Sequence, residues 1–399
     1  MSTAARTGAR TAIGVSTLLV VVHATNDAFG GMLAALLPTL QVRFGLSETI
    51  LAALVATLSF SSSVTQPLFG SLADTFGRRR VGALGVMTNS VLLSFMAVTP
   101  SLPLLFLLLF VGGLGSAAFH PAGTGIARGI GGNRKGLVMA IFSAGGTVGL
   151  AVGPLVIGAL LMTGRLDLSP LLMLPGLLGG AAMMWLVPQQ TRPPRGTKVK
   201  YLDVSLLRGP VGLLCASGIL RSISYATFVN AMPLWLVSQR GLATDSAVIF
   251  TSLAVFSLAA GTGGIVAGAL ERRAPRQLLI SGSMLAALVP LAALFVLTPG
   301  SLAYYAAVAL AGAAVNAGLP LMVVAAQDLA PDAVGAASGF MMGFTWGIAG
   351  ILYIGVGALQ EAIGIGPAML LAYATLIPGA ALASIVLRRQ WRAGLAAAD

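Results

Sequence analysis

Apolar sequence runs almost from end to end of this chain, broken only by short charged or Gly/Pro-rich clusters. The unbroken stretches are long enough to cross a bilayer as helices, which takes about 20 residues each. Breaks at those clusters place spans at 13–42, 48–70, 81–99, 102–127, 136–163, 170–188, 211–238, 246–270, 277–297, 301–327, 333–360 and 367–387. Only 9% of the residues are charged and 57% are hydrophobic, whereas a soluble domain carries about 25% charged residues. Glycine, at 51 residues, is abundant, and small residues let helix backbones approach closely in lipid. The expected fold is an all-α membrane protein of twelve transmembrane helices.

The charges report orientation. With the N-terminus inside, 19 of the 23 Lys and Arg fall on segments predicted to be cytoplasmic. Arg43, Arg165 and Arg240 lie on the other side, and Arg221 lies within a span. Basic residues are retained on the cytoplasmic side of short loops. Both termini are therefore expected inside, in a bacterial cytoplasmic membrane. The net charge of +12 is topological, and no nucleic-acid partner is expected. The lone Cys215 and the two histidines predict neither an internal disulfide nor a dedicated metal site. The run after Arg6 and Arg10 continues to about Leu40, too long for a cleaved signal core. It reads as the first membrane helix.

The polar stretch 189–209 holds Pro193, Pro194, Arg195, Lys198 and Lys200 and falls near the middle of the chain. It predicts a six-helix bundle over 1–188, a cytoplasmic linker over 189–209 and a second bundle over 210–399. Pro121, Gly136 and Gly158–Leu160 recur 199 residues later as Pro320, Gly335 and Gly357–Leu359. Pro38 pairs with Pro233 and Gly70 with Gly268, at offsets of 195 and 198. Parallel repeats of this kind build two pseudo-symmetric halves.

Between spans 2 and 3 the chain reads Gly70-Ser71-Leu72-Ala73-Asp74-Thr75-Phe76-Gly77-Arg78-Arg79-Arg80. This resembles the loop signature of the major facilitator superfamily at every defining position. A decayed copy, Gly268-Ala269-Leu270-Glu271-Arg272-Arg273, follows span 8. The resemblance implies that Gly70, Asp74, Gly77 and Arg78 form a gating loop. In the family the acid latches helix 2 to the start of helix 11, here near Asp332, and Arg78 is its expected local partner.

His23-Ala24-Thr25-Asn26-Asp27, then Pro38 and Phe44-Gly45-Leu46-Ser47, together with Phe119-His120-Pro121-Ala122-Gly123 and Ala127-Arg128, look like the fosmidomycin-resistance-type efflux proteins within that superfamily. The likeness covers most of the N-terminal half and is weak beyond it. It implies proton-driven export of a small molecule. Span 5 adds a partial antiporter signature, Gly145, Gly149, Gly153-Pro154 and Gly158, with Ala140 where the family form has glycine. Close helix packing explains the same glycines. Leu109 stands where many drug–proton antiporters carry an arginine.

Ionisable groups at bilayer depth are costly and usually face a cavity or a partner. Asp27 lies roughly 21 Å into span 1 at 1.5 Å per residue, with His23 one turn earlier and Asn26 beside it. Helices 1, 4, 7 and 10 line the central cavity in the family; span 4 contributes His120 and span 7 Arg221 and Tyr225. At the 195 offset, Asn26 and Asp27 correspond to Arg221 and Ser222. Asp27 is the candidate for proton exchange, tuned by His23 or His120, with Arg221 as counter-charge or anion clamp. A structural hydrogen-bond network between spans 1 and 4 accounts for the same residues. Asn26, Tyr225, Asn230 and Asn316 are further candidates for substrate contact. Asp328, Asp332 and Glu361 sit at helix ends, where solvated charge needs no special role.

The chain thus reads as a monomeric secondary transporter, most simply a proton-coupled exporter, with lipid, protons and a small solute as partners. A proton-coupled importer uses the same scaffold, and a lipid flippase would need a more apolar cavity. No clustered nucleophile, metal or acid–base set suggests an enzyme. Without a nucleotide-binding signature, the proton gradient is expected to be the energy source, with no cofactor.

Overall fold

A backbone in hydrocarbon must satisfy its polar groups internally, which restricts spanning segments to helices or closed barrels. In the computed structural model, which describes residues 3–188 and 204–396, the described elements are helices, turns and short connections. The α-helices are α1 (Thr3–Phe44), α2 (Glu48–Ser59), α3 (Gln66–Phe76), α4 (Arg78–Ser94), α5 (Leu102–Ile130), α6 (Lys135–Met162), α7 (Met173–Leu186) and α8 (Pro210–Ser238). They continue with α9 (Ala247–Leu270), α10 (Ser283–Ala293), α11 (Leu302–Ala317), α12 (Leu319–Leu329), α13 (Val334–Gly339), α14 (Thr345–Ile363), α15 (Ile365–Ala374) and α16 (Leu376–Ala396). Nine spans among the described residues are long and apolar enough to cross a membrane. The bent pair α2–α3 makes a tenth. The shorter helices Arg78–Ser94 and Leu278–Ala293 stand where the third and ninth spans were predicted. The arrangement is that of a twelve-helix, multi-pass membrane protein. Large apolar side chains on its outside, such as Trp185 at 88% and Val289 at 74% exposure, are what lipid contact requires.

Two local features depart from a plain helix ladder. Span 2 runs on through Asp74 to Phe76 and bends by 41° between α2 and α3. A π-turn at Phe60–Val64 precedes the bend, and Pro67 brings no N–H to the ladder. The side chains of Thr65 and Gln66 donate to the carbonyls of Ser61 and Ser62, at 2.5 and 2.9 Å. The second feature is the one-residue connection from α3 to α4. Gly77 makes it at φ +97° while its N–H donates to Ala73 O at 2.9 Å. A side chain would strain that backbone, so this signature glycine is required by the turn.

The chain forms two compact units, Met1–Leu36 with Thr57–Tyr201, and Leu37–Ala56 with Leu202–Asp399. Most of the expected linker, residues 189–203, lies outside the described residues; Val204–Arg208 forms a 3-10 turn. The repeat-related prolines occupy related places: Pro38 and Pro233 lie inside α1 and α8. Pro121 lies inside α5, and Pro320 opens α12.

In the first unit α6 lies against α1 with its backbone in contact. A methyl group on Gly145 would stand 2.7 Å from Val20 O. Methyl groups on Gly149 and Gly153 would overlap the carbonyls of Ala24 and Ala28. Glycines four apart on α6 thus seat on residues four apart on α1, the small-residue packing that membrane helices use.

Candidate functional site

That close contact brings α6 beside the ionisable face of α1. His23 and Asp27, one turn apart, meet at 3.2 Å between His23 Nε2 and Asp27 Oδ2. His120, from α5, places Nε2 3.2 Å from the other oxygen, Asp27 Oδ1. Asn26 Nδ2 donates to Asp27 Oδ1 at 3.0 Å and to Ser116 Oγ at 2.8 Å. Both oxygens of one carboxylate are therefore engaged by side chains from two helices.

Each imidazole is fixed from behind. His23 Nδ1 lies 2.8 Å from Phe142 O, and His120 Nδ1 lies 2.9 Å from Ser116 O. A carbonyl only accepts, so both Nδ1 atoms carry the hydrogen and both Nε2 atoms face Asp27. The Phe142 ring stacks on His23 with centroids 4.2 Å apart, and Phe119 lies 5.7 Å away. Gly146 of α6 makes room, because a methyl group there would stand 2.6 Å from Asp27 Oδ2 and 2.7 Å from His23 Nε2. His23 and Asn26 are buried, while a quarter of the His120 side chain is exposed. The donor atoms of His23, Asp27 and His120 all lie within 4.8 Å of one another, a spacing able to hold a metal ion.

The second unit holds a separate polar cluster. Arg221 of α8 is fully buried. Its Nη1 donates to Asn316 Oδ1 at 2.8 Å and its Nη2 to Ser222 Oγ at 2.9 Å. Its guanidinium lies 5.2 Å from the centre of the Trp346 ring, which meets Tyr225 edge to face. No carboxylate pairs with Arg221 among the described residues, and its Nε finds no acceptor there. A buried cation held only by neutral acceptors is costly.

The structure gathers most of the predicted proton-coupling and substrate-binding residues into these two groups. His23, Asn26, Asp27 and His120 form the first; Arg221, Tyr225 and Asn316 form the second. Asn230 stands apart, its Nδ2 donating to Ala226 O on its own helix at 2.9 Å. In the loop Arg78 pairs with Asp74 at 2.9 Å and reaches Gly125 O at 3.4 Å. Two charges set aside as solvated helix ends have partners: Asp328 accepts from Arg276 at 2.6 Å, and Glu361 accepts from the Thr49 N–H at 2.8 Å.

Several participants were not singled out from sequence. Ser116 lies one turn before His120 and so shares its helix face, a signal that was available. Asn89, whose Nδ2 donates to Asn26 O at 3.0 Å, is a buried amide in an apolar span. Gly146 and the Phe142 carbonyl leave no mark on the sequence, and Trp346 none that separates it from other aromatics.

A multi-pass helical bundle with polar clusters buried between its helices has the build of a secondary transporter. The Major Facilitator Superfamily profile matches residues 19–354, and the chain belongs to that family. It is a transporter and not an enzyme. The chain is 27% identical over 368 residues to the uncharacterised transporter YfnC of Bacillus subtilis, covering 88% of each chain. It is 25% identical over 357 residues to the fosmidomycin resistance protein of Escherichia coli, covering 87% of this chain and 86% of that one. The likeness to the latter thus extends through both halves, further than the N-terminal motifs alone suggested. The solved structure of the nucleoside transporter NupG superposes with a TM-score of 0.73 at 15% identity, covering 94% of this chain and 99% of that one.

Proposed function

We propose that this protein exports a small molecule in exchange for protons, by alternating access, as a monomer in the bacterial cytoplasmic membrane with both termini inside. The proton gradient is its energy source, and no cofactor is needed. One observation carries the reading: the Asp27 carboxylate, only 16% exposed, lies between two imidazoles aimed at it, on a helix packed by glycines against α6. An ionisable group at bilayer depth is costly and marks a proton or solute pathway by default. Asp27 exchanges the proton, His23 and His120 tune it, and Arg221 with Asn316 and Tyr225 contacts the solute. Asp74 and Arg78 belong to the cytoplasmic gate. Export fits similarity to a protein named for resistance to a drug.

The test is transport by purified protein in vesicles under a proton gradient of either sign, with fosmidomycin as the first solute tried and a trapped pH dye reporting protons. Exporter behaviour requires solute movement against inward proton flow, lost in Asp27→Asn. Cotransport in the same direction as protons would make it an importer. Full coupled transport by Asp27→Asn would remove the proposal's basis.

A further inference from the structure

The geometry points to a divalent transition-metal site, formed by His23, Asp27 and His120, that takes an ion of borderline softness such as Zn²⁺ or Co²⁺. This goes beyond the exporter reading and stands whether or not the same residues carry protons.

Three features of the cluster argue for it. First, the donor set is right: two imidazole nitrogens and one carboxylate are the three protein ligands of open tetrahedral sites, which leave the fourth position to water or substrate. Second, the donors are already gathered: His23 Nε2 stands 3.2 Å from Asp27 Oδ2, His120 Nε2 stands 3.2 Å from Asp27 Oδ1, and one ligand atom from each residue lies within 4.8 Å of the others. Bonds of about 2.0–2.1 Å at tetrahedral angles separate neighbouring ligand atoms by about 3.3 Å, so an ion would draw the two imidazoles together onto the carboxylate. Third, the orientation is set in advance. A metal-binding histidine usually donates its other ring N–H to a carbonyl or carboxylate, which fixes the tautomer and the ring. Here both do so, to Phe142 O and Ser116 O. In the neutral form each ring then aims a lone pair at the same carboxylate. Lone pairs facing a carboxylate repel it unless a positive charge lies between them; a proton supplies it in the coupling cycle, and a metal cation can supply it in the proton's place.

The surroundings suit an ion of this size. Phe142 and Phe119 wall the His23 side with apolar rings, and Gly146 withholds the atom that would crowd Asp27 and His23. The Asn26 amide steadies Asp27 Oδ1. His120 is the most exposed of the three ligands, so entry is expected from its side.

The experiment is titration of the full-length, detergent-purified protein, any affinity tag removed, with Co²⁺ as the metal alone. These are the chain's only two histidines, which keeps the background low. The expected result is one Co²⁺ per chain with the intense visible ligand-field bands of a low-coordinate ion, displaced by Zn²⁺. His120→Ala and Asp27→Asn should each weaken binding by more than the roughly 10–100-fold that loss of an outer partner costs. His120→Gln, partly exposed and close in size, guards against misfolding, with thermal unfolding as the check. Absence of those bands in wild-type protein would overturn the proposal, as would bands that persist in the His120→Gln, Asp27→Asn double variant. The two readings fail separately: wild-type protein that binds no Co²⁺ yet couples protons through Asp27 refutes only the metal site. Protein that binds Co²⁺ while Asp27→Asn keeps full coupling refutes only the exporter mechanism.

Discussion

Gly146 of α6 faces Asp27 of α1 so closely that a single added methyl group would stand 2.6 Å from Asp27 Oδ2. The nearest atoms belong to the charged cluster, so relief would come by pushing His23 or Asp27 out of register. Gly146→Ala is expected to cost about 1–3 kcal/mol, the usual penalty of overpacking, and to impair transport. Gly136, on the same helix, has nothing within 4 Å of the equivalent position; Gly136→Ala should leave stability unchanged or slightly raised. Thermal unfolding in detergent compares the two. Matching behaviour would mean that the fit around Asp27 is loose.

Arg221 supplies a second test, because its burial without a carboxylate is destabilising. Replacing such a charge with an apolar side chain of similar volume is often neutral or stabilising. Arg221→Met should therefore hold or raise the unfolding temperature while weakening solute transport by at least about tenfold, or ~1.4 kcal/mol. If it lowers stability and leaves transport intact, Arg221 is a structural strut and contacts no solute.

What could be read beforehand follows from how membranes constrain sequence. Asp27, His23 and His120 stood out because lipid tolerates few ionisable groups, and their helical spacing already placed two on one face. The double-glycine logic of span 5 was legible as packing or as an antiporter signature. In the structure Gly145, Gly149 and Gly153 seat α1, while Gly146, which lies outside that signature, opens onto the cluster. The bend at Pro67 was missed because hydropathy counts apolar residues and ignores where a carbonyl loses its donor. The Phe142 carbonyl was beyond reach for a plain reason: backbone partners carry no residue code.

The loop arginines offer a measurement of what the repeat preserves. Arg78 bridges Asp74 and the Gly125 carbonyl late in α5. Arg276 bridges Glu271 and Asp328 near the end of α12, at 2.5 and 2.6 Å. Burial works against the Arg276 charge, but the hydrogen bonds it donates to Asp328 and Glu271 outweigh it and hold the group above its ordinary pKa. These pairs remain partly in water, so Arg276→Ala should cost no more than about 1 kcal/mol, and less at high salt. A double-mutant cycle with Asp328→Asn should show coupling. Strict additivity would mean that the bridge contributes nothing to the fold.

Within the second unit, Glu361 near the end of α14 accepts from the Thr49 N–H in the first turn of α2. Nearby, a methyl group on Gly357 would stand 2.6 Å from Ala52 Cβ, so the two helices meet closely there. The first N–H groups of a helix lack intrahelical partners, and a carboxylate at that end also answers the helix dipole. Glu361→Gln keeps an acceptor and loses the charge; Glu361→Ala loses both. Hydrogen exchange at the Thr49 amide should therefore quicken in the order wild type, Gln, Ala. Added salt should narrow the gap between wild type and Gln while leaving the gap between Gln and Ala in place, since only the first is a charge effect. Equal exchange in all three would show that the contact is not held in solution, and that another group or water satisfies the start of α2.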